Sequence, residues 1–113
     1  MKTRKELIHA YKEQKFRVGV FQIRNTVNHK IYVEASTDLA SIWNRHKFQL
    51  DNGLHPNATL QKEYRQFGAQ HFVYEILSEI QQDDPAKDYR KEARQLEAMF
   101  KEELQPFGER GYH

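Results

Sequence analysis

The stretch that decides the fold is residues 19–35, Gly-Val-Phe-Gln-Ile-Arg-Asn-Thr-Val-Asn-His-Lys-Ile-Tyr-Val-Glu-Ala. Its Val, Ile and aromatic residues stand on both sides of a polar segment, which predicts a strand over 17–24 and a second strand over 30–35. The segment between them contains Asn residues, which tolerate the left-handed backbone angles of tight turns. We therefore expect a β-hairpin that turns at residues 25–29.

Helices are predicted on both sides of this hairpin. Thr3-Arg4-Lys5-Glu6 has the pattern of a capping box, so a helix is expected within residues 1–16. N-cap candidates at residues 36–38 predict a helix of about 13 residues after the hairpin. The apolar stripe of this second helix consists of Leu39, Ile42, Trp43, His46 and Leu50.

Two further helices and one strand complete the predicted order. A helix over 57–67 is expected to end at Gly68, and residues 72–77 predict a third strand. Asp84-Pro85 is typical of a helix start and predicts a long helix after it. The buried stripe expected for this last helix is Tyr89, Ala93, Leu96, Phe100 and Leu104.

This order of elements favours an α+β fold. We expect a small three-stranded, largely antiparallel sheet flanked by helices, with an extra N-terminal helix in residues 1–16. A length of 113 residues suits one small domain, and 14 aromatic residues can supply much of its core. Residues 1–113 are therefore expected to form a single domain.

Composition excludes several classes of site. The chain contains no cysteine, which rules out disulfides, thiolate catalysis and Cys-type zinc sites and makes a cytoplasmic location the natural expectation. No apolar run approaches the roughly 18 residues that span a bilayer, so no membrane partner is expected. Residues 1–30 hold eight Lys/Arg and two Glu. The positive charges of this N-terminal segment either bind phosphates or only make helix surfaces soluble in water.

A series of short motifs follows the hairpin pattern along the chain. In order they are Gly19-Val20-Phe21, Tyr32-Val33-Glu34, Trp43-Asn44-Arg45-His46, the segment 55–61 (His-Pro-Asn-Ala-Thr-Leu-Gln), Phe67-Gly68 and Gly111-Tyr112. In this order and spacing the motifs resemble the GIY-YIG endonuclease domain, over roughly residues 17–113. Each triplet alone is a weak signal, because apolar triplets are common.

The resemblance implies hydrolysis of a phosphodiester bond by water. In that family a tyrosine on the sheet helps to remove the proton of the water, and an arginine on the first helix after the hairpin stabilises charge on the phosphate. A glutamate on the last helix holds one divalent metal ion. The resemblance therefore implies Mg²⁺ or Mn²⁺ as the cofactor of an active enzyme.

Several of these groups are replaced in this chain. The tyrosine of the first triplet falls on Phe21, and the glycine of the second triplet falls on Glu34, while its tyrosine survives as Tyr32. The arginine position falls on Ile42. Arg45 lies three residues later, and the resemblance leaves open whether it replaces the missing positive charge. The metal-binding glutamate maps onto Glu97. The last asparagine of the family pattern maps onto His113.

The candidate site residues follow from this mapping. Tyr32, His46 and Glu97 are the candidate catalytic residues, and Glu34 together with Glu97 is the candidate metal-ligand pair of a rebuilt site. Candidate substrate-binding residues are Arg24, Lys30, Arg45 and His55. Each has a plainer interpretation as a hydrogen-bonded core residue, a helix cap or an exposed charge.

Three functions remain open at this point. The first is a domain with impaired catalysis that acts by binding nucleic acid, with DNA as its expected partner. The second is an active metal-dependent DNA endonuclease with a rebuilt site. The third is a protein-interaction module that does not bind DNA. Salt-dependent DNA binding separates the first two from the third.

Overall fold

The computed structural model of the protein describes residues 16–113, so the helix predicted within residues 1–16 lies outside the described residues except for Phe16. Two short 3₁₀ turns occur at Ala69–His71 and Gly108–Arg110. The longer elements are β1 (Gly19–Asn25), β2 (Ile31–Ser36), α1 (Ile42–Asp51), α2 (Ala58–Phe67), β3 (Phe72–Glu79) and α3 (Arg90–Leu104).

The three strands form one antiparallel sheet with the order β2-β1-β3. In the β1–β2 register, Phe21 lies opposite Glu34 and Ile23 lies opposite Tyr32. Because side chains alternate between the two faces of a strand, these four residues share one face of the sheet. The predicted α+β fold with a three-stranded antiparallel sheet is confirmed.

The hairpin forms where it was expected, but a different residue adopts the left-handed conformation. His29 has a φ of 65°, and its amide donates to the Asn25 carbonyl at 2.8 Å. The side chains of Asn25 and Asn28 instead accept hydrogen bonds from the amides two residues further on. The asparagines therefore stabilise the turn through their side chains rather than through unusual backbone angles.

Two helices begin later than predicted. The amide of Leu39 donates to the Arg17 carbonyl at 2.8 Å, residues 39–41 form a turn, and α1 begins only at Ile42. At the other helix, Asp84 to Lys87 form a separate turn. The Asp88 side chain accepts from the Arg90 amide at 3.0 Å, at the start of α3. The helix expected over 57–67 forms as α2, and the Asn57 side chain caps it by accepting from the Leu60 amide.

Both faces of the sheet are covered by helices. On one face, Phe21 and Ile23 pack with Leu50 of α1 and Leu60 of α2. On the other face, Val20, Ile31 and Val33 pack against the apolar side of α3. The stripes predicted for α1 and α3 are the sides that pack inward. No helix within residues 16–113 is long and apolar enough to cross a membrane.

Candidate functional site

Strand β2 places Tyr32 and Glu34 on the face that α1 and α2 cover. His46 comes from α1, and its imidazole lies 5.5 Å from the Tyr32 ring, measured between centroids. His55 comes from the loop before α2, where its amide donates to the Gln61 side chain at 3.1 Å. These four residues, Tyr32, Glu34, His46 and His55, are called the polar cluster below.

A directed chain of hydrogen bonds runs through the polar cluster. The backbone amide of Asn57 donates to His55 Nδ1 at 3.0 Å, so this nitrogen carries no proton. Neutral His55 therefore has its proton on Nε2, and it donates to His46 Nδ1 at 2.8 Å. The remaining proton of neutral His46 lies on Nε2, which donates to Glu34 Oε2 at 2.7 Å. One backbone amide thus sets the tautomers of both histidines.

The cluster stabilises a negative charge on Glu34. Burial works to raise the pKa of this carboxyl, but the hydrogen bond from His46 and the neighbouring Tyr32 phenol outweigh burial and hold the pKa below its usual value. Burial and the nearby His46 lower the pKa of His55. Burial raises the pKa of the Tyr32 phenol, and the carboxylate of Glu34 raises it further. Tyr32 is therefore a hydrogen-bond donor near neutral pH and a poor proton acceptor.

The two replaced family positions border this cluster. Phe21 is fully buried, and its ring centroid lies 5.5 Å from that of His46. Ile42 is the first residue of α1 and packs against the core as a half-buried side chain. Neither side chain supplies a proton acceptor or a positive charge.

Glu97 lies on the other side of β2 and caps its free edge. Its Oε1 accepts from the Ala35 amide at 2.8 Å, while Lys101 Nζ lies 3.7 Å from its Oε2. His113 acts in the same way, because its Nε2 accepts from the Val33 amide at 2.9 Å and its ring stacks on Tyr32 at 5.0 Å. Both side chains satisfy backbone donors that an edge strand would otherwise leave unpaired.

The residues around Glu97 do not fit a preformed metal site. Both of its oxygens already face a donor or a cation, the Ala35 amide and the Lys101 ammonium. Across residues 16–113 no group of three or more His, Cys, Asp or Glu side chains is arranged to hold a metal ion. Magnesium usually takes one or two carboxylates with water and phosphate oxygens, so Glu97 would first have to lose its contact with Lys101.

A cleft of about 590 Å³ opens beside Glu34. It lies between the end of β2, the start of α1 and the start of α3. Arg45, Lys91 and Arg94 line it, and none of the three forms an ion pair with any residue in 16–113. Arg45, Lys91 and Arg94 are called the basic cleft below. Unpaired cations in a concave surface are suited to binding an anion.

Two predicted substrate-binding residues lie away from the cleft. Arg24 occupies the sheet face opposite Tyr32, and its Nε donates to Glu75 Oε1 at 2.7 Å. Lys30 Nζ lies 3.6 Å from Glu63 Oε2. Arg45 does line the cleft, whereas His55 is buried within the polar cluster. The structure therefore brings together Tyr32, Glu34, His46 and His55, with Arg45 close by.

Sequence reasoning missed Lys91, Arg94 and the amide of Asn57. The first two stand three residues apart on the charged side of α3, a spacing that places them on one helix face. This signal is common to exposed helices, and only the approach of α3 to the end of β2 distinguishes it here. The role of the Asn57 amide leaves no signal in the side-chain sequence.

Individual proteins of similar sequence and structure, rather than a family model, identify the family of this chain. No protein-family model matches the chain. Intron-associated endonuclease 1 of Enterobacteria phage T4 is 39% identical over 62 residues, which are 55% of this chain and 25% of that protein. The chain therefore spans about a quarter of the length of this relative.

Two solved structures are similar over most of the domain. The catalytic domain of homing endonuclease I-TevI is 32% identical, with a TM-score of 0.70 over 84% of this chain and 95% of that chain. A glutamate-to-alanine mutant of the same catalytic domain is 31% identical, with a TM-score of 0.67 over 80% of this chain and 86% of that chain. With this fold and these motifs, the chain belongs to the GIY-YIG endonuclease family.

Proposed function

We propose that this chain is a GIY-YIG endonuclease-like domain that binds nucleic acid and has impaired cleavage chemistry. The observation that carries the proposal is the chemistry of the side chains at the family's catalytic positions. Phe21 has no hydroxyl, Ile42 has no charge, and burial together with the nearby Glu34 carboxylate raises the pKa of the Tyr32 phenol. No side chain at these positions is ready to accept the proton of a water molecule at neutral pH.

The expected loss of rate is large. Removing one preorganised group that stabilises developing charge costs a factor of about 10²–10³. Losing a general base costs about 10²–10⁴, and the two losses need not multiply when the groups act together. The carboxylate of Glu34 adds a negative charge where a phosphate would approach, which weakens productive binding further.

Binding is supported by the basic cleft. Its three cations are exposed and form no ion pair within residues 16–113, and Asp88 in the same lining is paired with Arg90, so a phosphate backbone can contact the three cations without breaking an internal ion pair. The relatives are named as endonucleases, which are enzymes that cut nucleic acid chains. DNA is the partner that we propose for this chain.

Two measurements on one preparation test this proposal. Binding of a fluorescent DNA duplex is followed by anisotropy across a salt series, and nicking of a supercoiled plasmid is followed with Mg²⁺ and with Mn²⁺. We expect affinity that falls as salt rises, since each neutralised phosphate releases counterions. We expect no nicking above that of a Glu97→Gln variant. Absence of salt-dependent binding would favour a protein-interaction module instead.

An active endonuclease with a rebuilt site is the second candidate. The observation that favours it is the hydrogen-bond chain that ends on Glu34, because a carboxylate held in this way by His46 is a potential proton acceptor. Metal-dependent nicking by the wild type that disappears in Glu97→Gln would support this candidate and overturn the first. Glutamine is the matched change, because its carbonyl oxygen can still accept from the Ala35 amide while the charge is lost.

A further inference from the structure

We propose that His46 Nε2, at the border of the basic cleft, forms a binding site for a phosphate oxyanion, and that the Glu34 carboxylate occupies this site as an internal anion. The ligand class rests on the proposed function, whereas the site itself rests on the geometry of the polar cluster. Removing the Glu34 side chain should therefore uncover a binding site that is blocked in the wild-type chain.

The donor of this site, His46 Nε2, is oriented before any ligand binds. The Asn57 amide forces the proton of His55 onto Nε2, and that proton in turn forces the proton of His46 onto Nε2. The donor of His46 therefore points at the position that Glu34 Oε2 now holds, at 2.7 Å. An imidazole with its other nitrogen already hydrogen-bonded keeps this orientation, so little reorganisation is needed to hold a different oxyanion.

The position is also open to solvent on one side. The side chain of His46 is 6% exposed, but that of Glu34 is 35% exposed. Glu34 lines the same cleft as Arg45. A phosphate oxygen that replaced the carboxylate would therefore lie next to the basic cleft, and the rest of the phosphate would extend toward its cations.

A carboxylate and a phosphate are interchangeable here for a simple reason. Both present anionic oxygens that accept charge-assisted hydrogen bonds of similar length. Two anions close together in a partly buried site repel each other strongly, so a phosphate cannot bind beside the intact Glu34 carboxylate without displacing it. Glu34 thus competes with any phosphate for the Nε2 donor of His46.

Titration with inorganic phosphate tests this site. Side-chain ¹H–¹⁵N NMR signals of the histidines are followed at pH 7.5 in the wild type and in Glu34→Ala. We expect saturable shifts at His46 in Glu34→Ala, with an affinity at least about tenfold higher than in the wild type because a like charge has been removed. A folded Glu34→Ala without saturable shifts at His46 would overturn the proposal, and so would equal affinity in the wild type.

Matched variants separate the site from a general change in charge. Glu75→Ala removes a carboxylate from the opposite face of the sheet and should leave phosphate affinity at His46 unchanged. If Glu34→Ala does not fold, Glu34→Thr provides the same test with a residue that favours strands.

Two further ligands, dimethyl phosphate and a DNA duplex, identify the kind of phosphate that binds and test this site separately from the proposed function. Dimethyl phosphate binding as well as inorganic phosphate would identify phosphodiesters as the class, whereas binding of inorganic phosphate alone would identify free phosphate. A short DNA duplex added to the wild type tests the proposed function separately. If the wild type does not bind DNA but Glu34→Ala gains phosphate binding at His46, the blocked site stands and the proposed function fails.

Discussion

The polar cluster and the basic cleft lie side by side, but the polar groups of the first are paired within the protein and the cations of the second are not. In the polar cluster, His46 uses both ring nitrogens within the protein, and Glu34 accepts from that ring. In the basic cleft, Arg45 and Arg94 have no ion-pair partner within residues 16–113. The donors and acceptors of the polar cluster are therefore used inside the protein, whereas the cations of the basic cleft can bind an external anion.

This difference separates two properties that an active nuclease combines. A buried polar group must be satisfied, so an internal network stabilises the fold and fixes side-chain orientations. An exposed cation costs little to leave unpaired, because water solvates it until an anion arrives. Binding capacity can therefore persist where the reacting groups have become part of the structural core.

The largest expected effect comes from restoring the family pattern at the three replaced positions. The triple variant Phe21→Tyr/Glu34→Gly/Ile42→Arg supplies a phenol and a guanidinium and removes the competing carboxylate. We expect plasmid nicking with Mg²⁺ to rise by a factor of about 10² or more, since each restored group acts on developing charge or on a proton. Initial nicking rates of the wild type and the variant are compared directly.

The comparison variant for this experiment adds Glu97→Gln to the triple change, and we expect the gained activity to disappear. A triple variant that is folded and binds DNA, yet cuts no faster than the wild type, would show that these residues have been mapped onto the wrong family positions.

A smaller effect is expected from the basic cleft. In Arg45→Ala/Lys91→Ala/Arg94→Ala, DNA affinity should fall roughly tenfold to a hundredfold, at up to about 1 kcal/mol for each exposed contact. The slope of log affinity against log salt should decrease by about two to three, because three phosphate contacts are lost. Fluorescence anisotropy across a salt series measures both quantities.

Three cations outside the cleft provide the control. Lys62, Arg65 and Arg110 are exposed and form no ion pair with a described residue, and changing all three to alanine removes the same total charge with the same number of Lys and Arg. If the control variant loses as much affinity and slope as the cleft variant, the binding surface is not the basic cleft.

The smallest expected effect is a loss of stability in mild acid. The pKa of His55 in the folded state lies below its usual value of 6.5 because of burial and the nearby His46. The unfolded chain therefore binds more protons as pH falls below about 6.5, and the free energy of unfolding decreases. The low pKa of His113, caused by burial and Lys101, acts in the same direction.

Urea unfolding at pH 7.5, 6.5 and 5.5 measures this dependence. Glu34 adds a further loss only at lower pH, because its folded-state pKa lies below the usual value of 4.5. In His55→Gln the decrease between pH 7.5 and 5.5 should be smaller than in the wild type, whereas His71→Gln, outside the hydrogen-bond chain, should retain it. Equal pH dependence in the wild type and in His55→Gln would contradict the proposed titration.

Local sequence signals predicted most of the backbone and failed where a distant contact intervened. The start of α2 near Asn57 and its stop at Gly68 depend on neighbouring residues, and both occur as predicted. The start of α1 was expected too early, because residues 39–41 form a turn in which the Leu39 amide donates to the carbonyl of Arg17, a residue far away in the sequence. The contact of Arg24 with Glu75 depends on the pairing of β1 with β3, which neither segment shows by itself, and the role of Arg24 in substrate binding stays a prediction.

The amino-acid sequence alone was enough to indicate the α+β class, the antiparallel hairpin, the family and the replaced positions at Phe21, Glu34 and Ile42. The class and the hairpin depend on residue type and period, which are local properties of the chain, whereas the family and the replaced positions rest on the resemblance of the motifs. Only the tertiary structure assigned Glu97 to the free edge of β2 and ordered the protons from Asn57 to Glu34. Those relations depend on the direction of individual donors and acceptors between segments that are remote in sequence, and hydrogen bonds form only at short range and in the right orientation.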